Sequence, residues 1–290
     1  LRRSPAQWYN RRAGGRSPAD EETTVRIIRF VDRKGREHFG AQVDETTARL
    51  FDRSPLDGGT VTGATEPIAT LLAPCQPPAI FAIGLNYRRH AQEVKAGAPE
   101  FPVVFLKAPG SLQHPNAPIV LPHAEPIEVD YEVELTVVIG RTAKNVPRGR
   151  ALEYVLGYTC ANDVSGRRWQ IRQGGTQWCR GKSFDTFCPL GPAIVTTDDI
   201  PDPNTLGLRT IINGETLQDW NTDDMIFDVP SLVSFVSEGT TLAPGTVILT
   251  GTPHGVGFMR RPKRFLKVGD RVVVEIDKIG RLENPVAAEG

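Results

Sequence analysis

Short apolar runs of strand length dominate the chain, interrupted at close intervals by glycine and proline. AIFAIGL, VVFLK, VDYEVELTVVIG, LGYTCAND, GPAIVT, LRTIIN, TVILTGTP and RVVVEI succeed one another from residue 79 to residue 276. Their β-branched residues and brevity predict strands, and helical spacing is confined to stretches near 87–95, 147–154, 164–173 and 229–238. Upstream, VRIIRFV at 25–31 followed by DRKGREHFGAQV predicts a hairpin turning near Lys34-Gly35. Pro74, Pro77 and Pro78 then punctuate the chain. The pattern divides it into residues 1–22, a tail or targeting remnant; 23–77, a small β-rich module; and 78–290, the main body. The predicted class is α+β, dominated by strands, with no internal repeat.

Within VDYEVELTVVIG the alternation has chemical consequences. A strand's period of two sends Asp130, Glu132, Glu134 and Thr136 to one face and Val129, Tyr131, Val133 and Leu135 to the other. Two neighbouring carboxylates in a run that ends in core-like VVIG raise each other's pKa unless a cation or solvent relieves the repulsion. From these residues alone, a metal site and a solvated outer face remain equal readings. A third carboxylate, Asp163, closes LGYTCAND, and a helix expected to follow would place Asp163 at its N-terminus, where capping is the plain explanation. On such a helix Arg167 and Gln170 would share the face of Asp163.

Other segments offer proton-handling and anion-binding groups. His90 and Glu93 stand at helical i, i+3 spacing after GLNY, a carboxylate–imidazole pair able to form a general base. Lys182 follows a glycine in apolar surroundings. VILTGTPHGVG places Thr250, Gly251 and Thr252 at a strand end, where N–H groups and hydroxyls would bind a carboxylate or where glycine serves a tight turn.

Composition alters this picture at two points. The 290 residues carry 34 basic and 34 acidic side chains, a balance with no attraction for nucleic acid or an acidic membrane, and no run is long enough to span one. Residues 1–19 nevertheless hold five arginines and no acid, the bias of a mitochondrial presequence, so a matrix location is expected, with the cytoplasm as the alternative. Cys75, Cys160, Cys179 and Cys188 lack CxxC or zinc-site spacing and read as reduced thiols.

Taken together, GLNYRRHAQE, VDYEVELTVVIG, ANDVSGRRWQ, GKSFDTFCPLGP, LQDWNTDDMIF and VILTGTPHGVG resemble, in order, the fumarylacetoacetate hydrolase family over roughly residues 79–286. Within it the chain looks closest to a mitochondrial branch associated with oxaloacetate keto–enol tautomerisation. The resemblance implies a fold of layered mixed β-sheets with few short helices, and a homodimer. It places the metal ligands on Glu132, Glu134 and Asp163, substrate contacts on Arg167, Gln170, Gly251 and Thr252, and catalytic groups on His90, Glu93 and Lys182. Arg88-Arg89 before His90 departs from the acidic residue that relatives often carry there.

An all-oxygen ligand set implies Mg²⁺ or Mn²⁺ chelated by a small 2-oxo acid, with Arg167 holding a second carboxylate bidentately. Oxaloacetate tautomerisation is the leading expectation. Acylpyruvate C–C hydrolysis and oxaloacetate decarboxylation are the alternatives, and a retired enzyme serving as a binding protein is the non-enzymatic one.

Overall fold

A computed structural model describes residues 25–290, so the expectations for residues 1–22 and for the arginine-rich start lie outside the described residues. The hairpin forms where the pattern places it, from β1 (Arg26–Val31) and β2 (Glu37–Gln42), with Gly35 at a φ of 79° in the turn. β3 (Thr47–Phe51), β4 (Val61–Pro67) and β5 (Thr70–Leu72) complete this region. It joins the main body directly, because β1 pairs antiparallel with β14 (Cys188–Thr196).

From β14 the large sheet continues through β12 (Val155–Asn162), β11 (Val133–Ile139), β17 (Val247–Leu249), β6 (Ile80–Gly84) and β7 (Val103–Lys107), which forms its edge. The β17–β6 pairing and that of β8 (Leu112–Gln113) with β14 are parallel and most others are antiparallel, so the sheet is mixed. A five-stranded sheet lies against it, built from β16 (Glu215–Asn221), β15 (Gly207–Ile212), β18 (Arg271–Ile276), β19 (Gly280–Ala288) and β9 (Ile119–Leu121).

Strand β11 separates two cores and is buried along its whole length. Val133, Leu135 and Val137 face one core, where Leu208 and Ile276 of the second sheet meet Leu232 and Val233 of α3 (Val229–Ser237). Val138 faces the other, with Ala161, Leu190 and Leu249. The period-two reading therefore holds, and it forces Glu134 and Thr136 into the protein interior rather than onto a wet face. Asp228 caps α3 by accepting from the Ser231 N–H at 2.9 Å.

Two predicted helices change form. Residues 148–154 are a 3₁₀ turn. After Asp163 the chain makes the short strand β13 (Ser165–Gly166), paired with β10 (Val129–Asp130), before a π-helical turn at Arg168–Arg172. Asp163 thus caps no helix. Its backbone N–H donates to the Glu132 carbonyl at 2.9 Å, which ties the third carboxylate to the first two. Helix α2 (Trp178–Lys182) was not indicated by the sequence pattern, whereas α1 (Arg88–Glu93) was.

Candidate active site

Strand ends converge at one edge of the large sheet: the start of β11, the end of β12, the ends of β6, β7 and β17, and the last turn of α2. β11 and β12 pair with Glu134 opposite Ala161, so Glu132 and Asp163 leave their strands side by side. Asn162 reinforces the junction by accepting from the Glu132 N–H at 3.0 Å. Ligand atoms of Glu132, Glu134 and Asp163 lie within 4.8 Å of one another, and all three residues are buried.

Three cations surround this trio unevenly. Lys182 Nζ donates to Glu132 Oε2 at 2.7 Å and to Asp163 Oδ2 at 2.6 Å. Lys107 Nζ, fully buried at the end of β7, donates to the other Asp163 oxygen at 2.6 Å and to the carbonyls of Val164 and Lys182. Arg167 donates to Asp130, Glu132 and Gln170 through Nε, Nη2 and Nη1. Asp130 in turn accepts the N–H groups of Gly257 and Phe258, fixing the loop after β17 against the arginine. Four carboxylates thus meet three cations.

The excess negative charge falls on Glu134. Among the described residues its hydrogen-bond partner is the Gly251 N–H at 2.7 Å. Burial, then Asp163 and Glu132, push its carboxyl well above the usual 4.5. Burial raises Glu132 too, but Lys182 and Arg167 outweigh it and hold that carboxyl at about 2. For Lys182, burial opposes the charge and the paired Asp163 and Glu132 more than restore it, so the ammonium persists. A trio of converging oxygen donors with one carboxylate lacking a counter-charge fits a hard divalent cation.

The expected partners line the same cavity of about 350 Å³, together with the trio's two glutamates: His90, Arg167, Gln170, Lys182 and Thr252. Glu93 lies behind the cavity wall. It accepts from His90 Nδ1 at 3.0 Å and from the Gly255 N–H at 3.0 Å, which leaves His90 Nε2 as the free ring nitrogen. Gly251 is placed differently from the expectation of an open anion-binding loop, since its N–H is directed at Glu134. Glycine is required there, because φ is +97° and a Cβ would come within 2.9 Å of Asn86 Cβ. The Thr252 hydroxyl donates to the Val133 carbonyl at 3.0 Å and accepts from Gln218 at 2.9 Å. Arg167 has one Nη1 hydrogen left, too few for the bidentate grip expected of it.

The family model described as fumarylacetoacetate (FAA) hydrolase, C-terminal, matches residues 79–287, most of the chain and every element that builds the cavity. The chain belongs to the fumarylacetoacetate hydrolase family. Among its relatives, a mitochondrial oxaloacetate tautomerase of Xenopus laevis is 49% identical over 218 residues, 75% of this chain and 68% of that protein. A human mitochondrial oxaloacetate tautomerase is 46% identical over 75% and 69% respectively. The crystal structure of a 5-carboxymethyl-2-hydroxymuconate delta-isomerase from Mycobacterium smegmatis superposes with a TM-score of 0.80 at 40% identity, covering 91% of this chain and all of that one. The protein is therefore an enzyme of the fumarylacetoacetate hydrolase family, and its strand-dominated layered sheets are the fold of that family's solved structures.

Three members of the site escaped the sequence reading. Asp130 shared the face of Glu132 and Glu134 but carried no assigned role. Lys107 ends the apolar run VVFLK, and a lysine closing a buried strand was the available signal, since lysine is almost never fully buried without a partner. Gln218, within LQDWNTDDMIF, accepts from the Val133 N–H and donates to Thr252 and the Pro253 carbonyl, anchoring the second sheet to the cavity floor. An isolated glutamine in a strand announces none of this.

Proposed function

We propose that the protein is a divalent-metal-dependent oxaloacetate keto–enol tautomerase located in the mitochondrial matrix and acting as a homodimer. The observation that carries this reading is the convergence of the buried trio with Lys182 and the Glu93-fixed His90 in one cavity. The names of the mitochondrial tautomerases among its relatives support it.

Glu132, Glu134 and Asp163 would hold Mg²⁺ or Mn²⁺, with remaining positions open to water or substrate. Such a cation supplies Lewis-acid stabilisation of negative charge on the oxygen of a 2-oxo acid. Around it, the protein's own groups divide the work. Lys182 presents a fixed ammonium at the same end and is a proton donor. His90, its Nδ1–H turned to Glu93, offers Nε2 to accept or return a proton, a role typically worth about 10²–10⁴ in rate. Gln170, with its carbonyl oxygen held by Arg167, keeps its amide hydrogens for the substrate, and Arg167 adds one N–H and its charge. Thr252 and Gly251 contribute by position, shaping the floor and orienting Glu134.

The same dyad suits activation of water, so acylpyruvate cleavage and oxaloacetate decarboxylation are the competing reactions. An assay that follows enol absorbance, CO₂ and pyruvate separately, with Mg²⁺ and with excess chelator, tests the reading. Metal-dependent acceleration of oxaloacetate enol loss without matching CO₂ or pyruvate is expected. Full activity in chelator, or rapid acylpyruvate cleavage with the enol rate left at its uncatalysed value, rejects it.

A further inference from the structure

The cavity is chemically divided. Of its ionisable lining groups, Glu132, Glu134, Arg167 and Lys182 gather at the trio, and His90 is the fifth. The remainder of the wall carries no charged side chain and is built from groups such as Val94, Ala96, Phe105, Ile171, Trp178 and Phe258. Thr176, a polar exception, has its hydroxyl engaged by the Gly175 carbonyl at 2.6 Å. A volume of about 350 Å³ lies in the range, roughly 300–1,000 Å³, that encloses drug-sized ligands, and a four-carbon diacid leaves much of it unfilled.

The apolar half begins directly beside the reacting end. Lys182 Nζ lies 5.2 Å from the centre of the Phe105 ring, and Phe105 meets Trp178 edge-to-face with ring centres 5.4 Å apart. Trp178 is held in place because its ring covers Gly84, where a Cβ would come within 2.4 Å of Trp178 Cζ3. Across the space, Arg167 faces the Phe258 ring at 5.8 Å. A second carboxylate placed against Phe105 and Trp178 would meet ring edges and faces, with Lys182, already shared by Glu132 and Asp163, as the cation beside it, whereas an aromatic ring finds complementary surfaces.

The geometry points to a further activity: keto–enol tautomerisation of 2-oxo acids that carry an aromatic group on C3, with the ring against Phe105 and Trp178. This inference rests on the reading of the trio as a 2-oxo acid site and extends its substrate class. In the enol-to-keto direction the enol O–H bond breaks and its proton passes to the site. The O–H pair forms the C=O bond, and the C=C pair forms the new C3–H bond with a proton delivered by the site, so no net proton is gained or lost. No oxidant or co-reactant is consumed.

The test measures loss of enol absorbance for phenylpyruvate and for oxaloacetate with the full chain and Mg²⁺. The expected result is metal-dependent acceleration of the phenylpyruvate enol, with kcat/KM at least equal to that for oxaloacetate. Ala96→Trp, at a partly exposed position, and Val94→Trp separately fill the apolar half. Each should lower the phenylpyruvate-to-oxaloacetate ratio of kcat/KM at least tenfold, in keeping with the roughly 10–200-fold that one methylene can cost in an apolar pocket. Turnover of phenylpyruvate but not oxaloacetate sustains the inference and removes the dicarboxylate reading. Turnover of oxaloacetate alone, with phenylpyruvate unreactive even if it binds, overturns the inference and leaves the proposed function standing. A ratio unchanged in both filled variants also overturns it.

Discussion

Glu132 and Glu134 lie two residues apart on one strand face, both buried, and their surroundings treat them in opposite ways. Glu132 belongs to a cation-clad half of the site, where Lys182 and Arg167 hold each of its oxygens and keep it ionised. Glu134 belongs to a bare half, with a backbone N–H before it and two carboxylates beside it. Identical chemistry at identical spacing thus yields one carboxylate already neutralised by the protein and one waiting for a counter-charge. A divalent cation held by this trio would find its geometry fixed by the lysines and its affinity raised by the uncompensated glutamate.

Removing the cation that distinguishes the two halves should have the largest effect. Lys182→Met leaves Glu132 and Asp163 without their shared ammonium and withdraws positive charge from the reacting end. The enol-to-keto rate should fall by at least about 10²–10³, the usual cost of losing one such stabilising donor. An activity within tenfold of wild type in the enol-absorbance assay would show that the clad half only scaffolds.

Lys107→Met acts on the same half from outside the cavity. It strands one Asp163 oxygen and two carbonyls in a dry interior, a loss of roughly 3–5 kcal/mol in unfolding free energy for a broken buried pair. With Asp163 held by Lys182 at one oxygen only, Mg²⁺ affinity measured by calorimetry should drop roughly 10–100-fold. Unchanged affinity in a destabilised but folded variant would mean that Lys107 serves the fold alone.

The smallest effect is a difference in pH dependence, and its sign differs between the two glutamates. Glu134 is stabler protonated in the folded, cation-free protein. Its contribution is full below 4.5 and is lost as pH rises through its raised value. Glu132 contributes above 4.5 and loses that contribution as pH falls toward about 2. In chelator, the wild-type Tm should therefore decline more with rising pH than that of Glu134→Gln, by a few degrees between about pH 5 and about pH 8. Mg²⁺ should stabilise the wild type and have little effect on the variant. Parallel curves in chelator would remove the contrast on which the comparison rests.

Much of this site was legible along the chain because strand periodicity is local. The alternation in VDYEVELTVVIG assigned Glu132 and Glu134 to one face, and the i, i+3 spacing paired His90 with Glu93, which the structure joins at 3.0 Å. Asp163 was recognised as a carboxylate at a strand end but was given a helix to cap. The helix fails because β13 pairs with β10 first, a contact between residues more than thirty positions apart that no local pattern announces. The engagement of the Gly251 N–H and of the Arg167 fork was hidden for the same reason. Each depends on which distant carboxylate arrives opposite.

The sequence by itself determined the strand-dominated class, the hairpin at the start of the described chain, the family, and the residue types of the cavity's charged end. Backbone periodicity and motif order reside in consecutive residues, and short-range sterics suffice to express them. Tertiary structure alone decided that the N-terminal strands extend the main sheet through β1 and β14, and that Lys107 reaches Asp163. It alone decided that the clad and bare carboxylates are shifted in opposite directions, and that the rest of the cavity wall is apolar. Those outcomes depend on burial and on pairwise distances between segments far apart in the chain. Desolvation and Coulomb energies in the interior acquire their signs and magnitudes only once the sheets have closed around the charges.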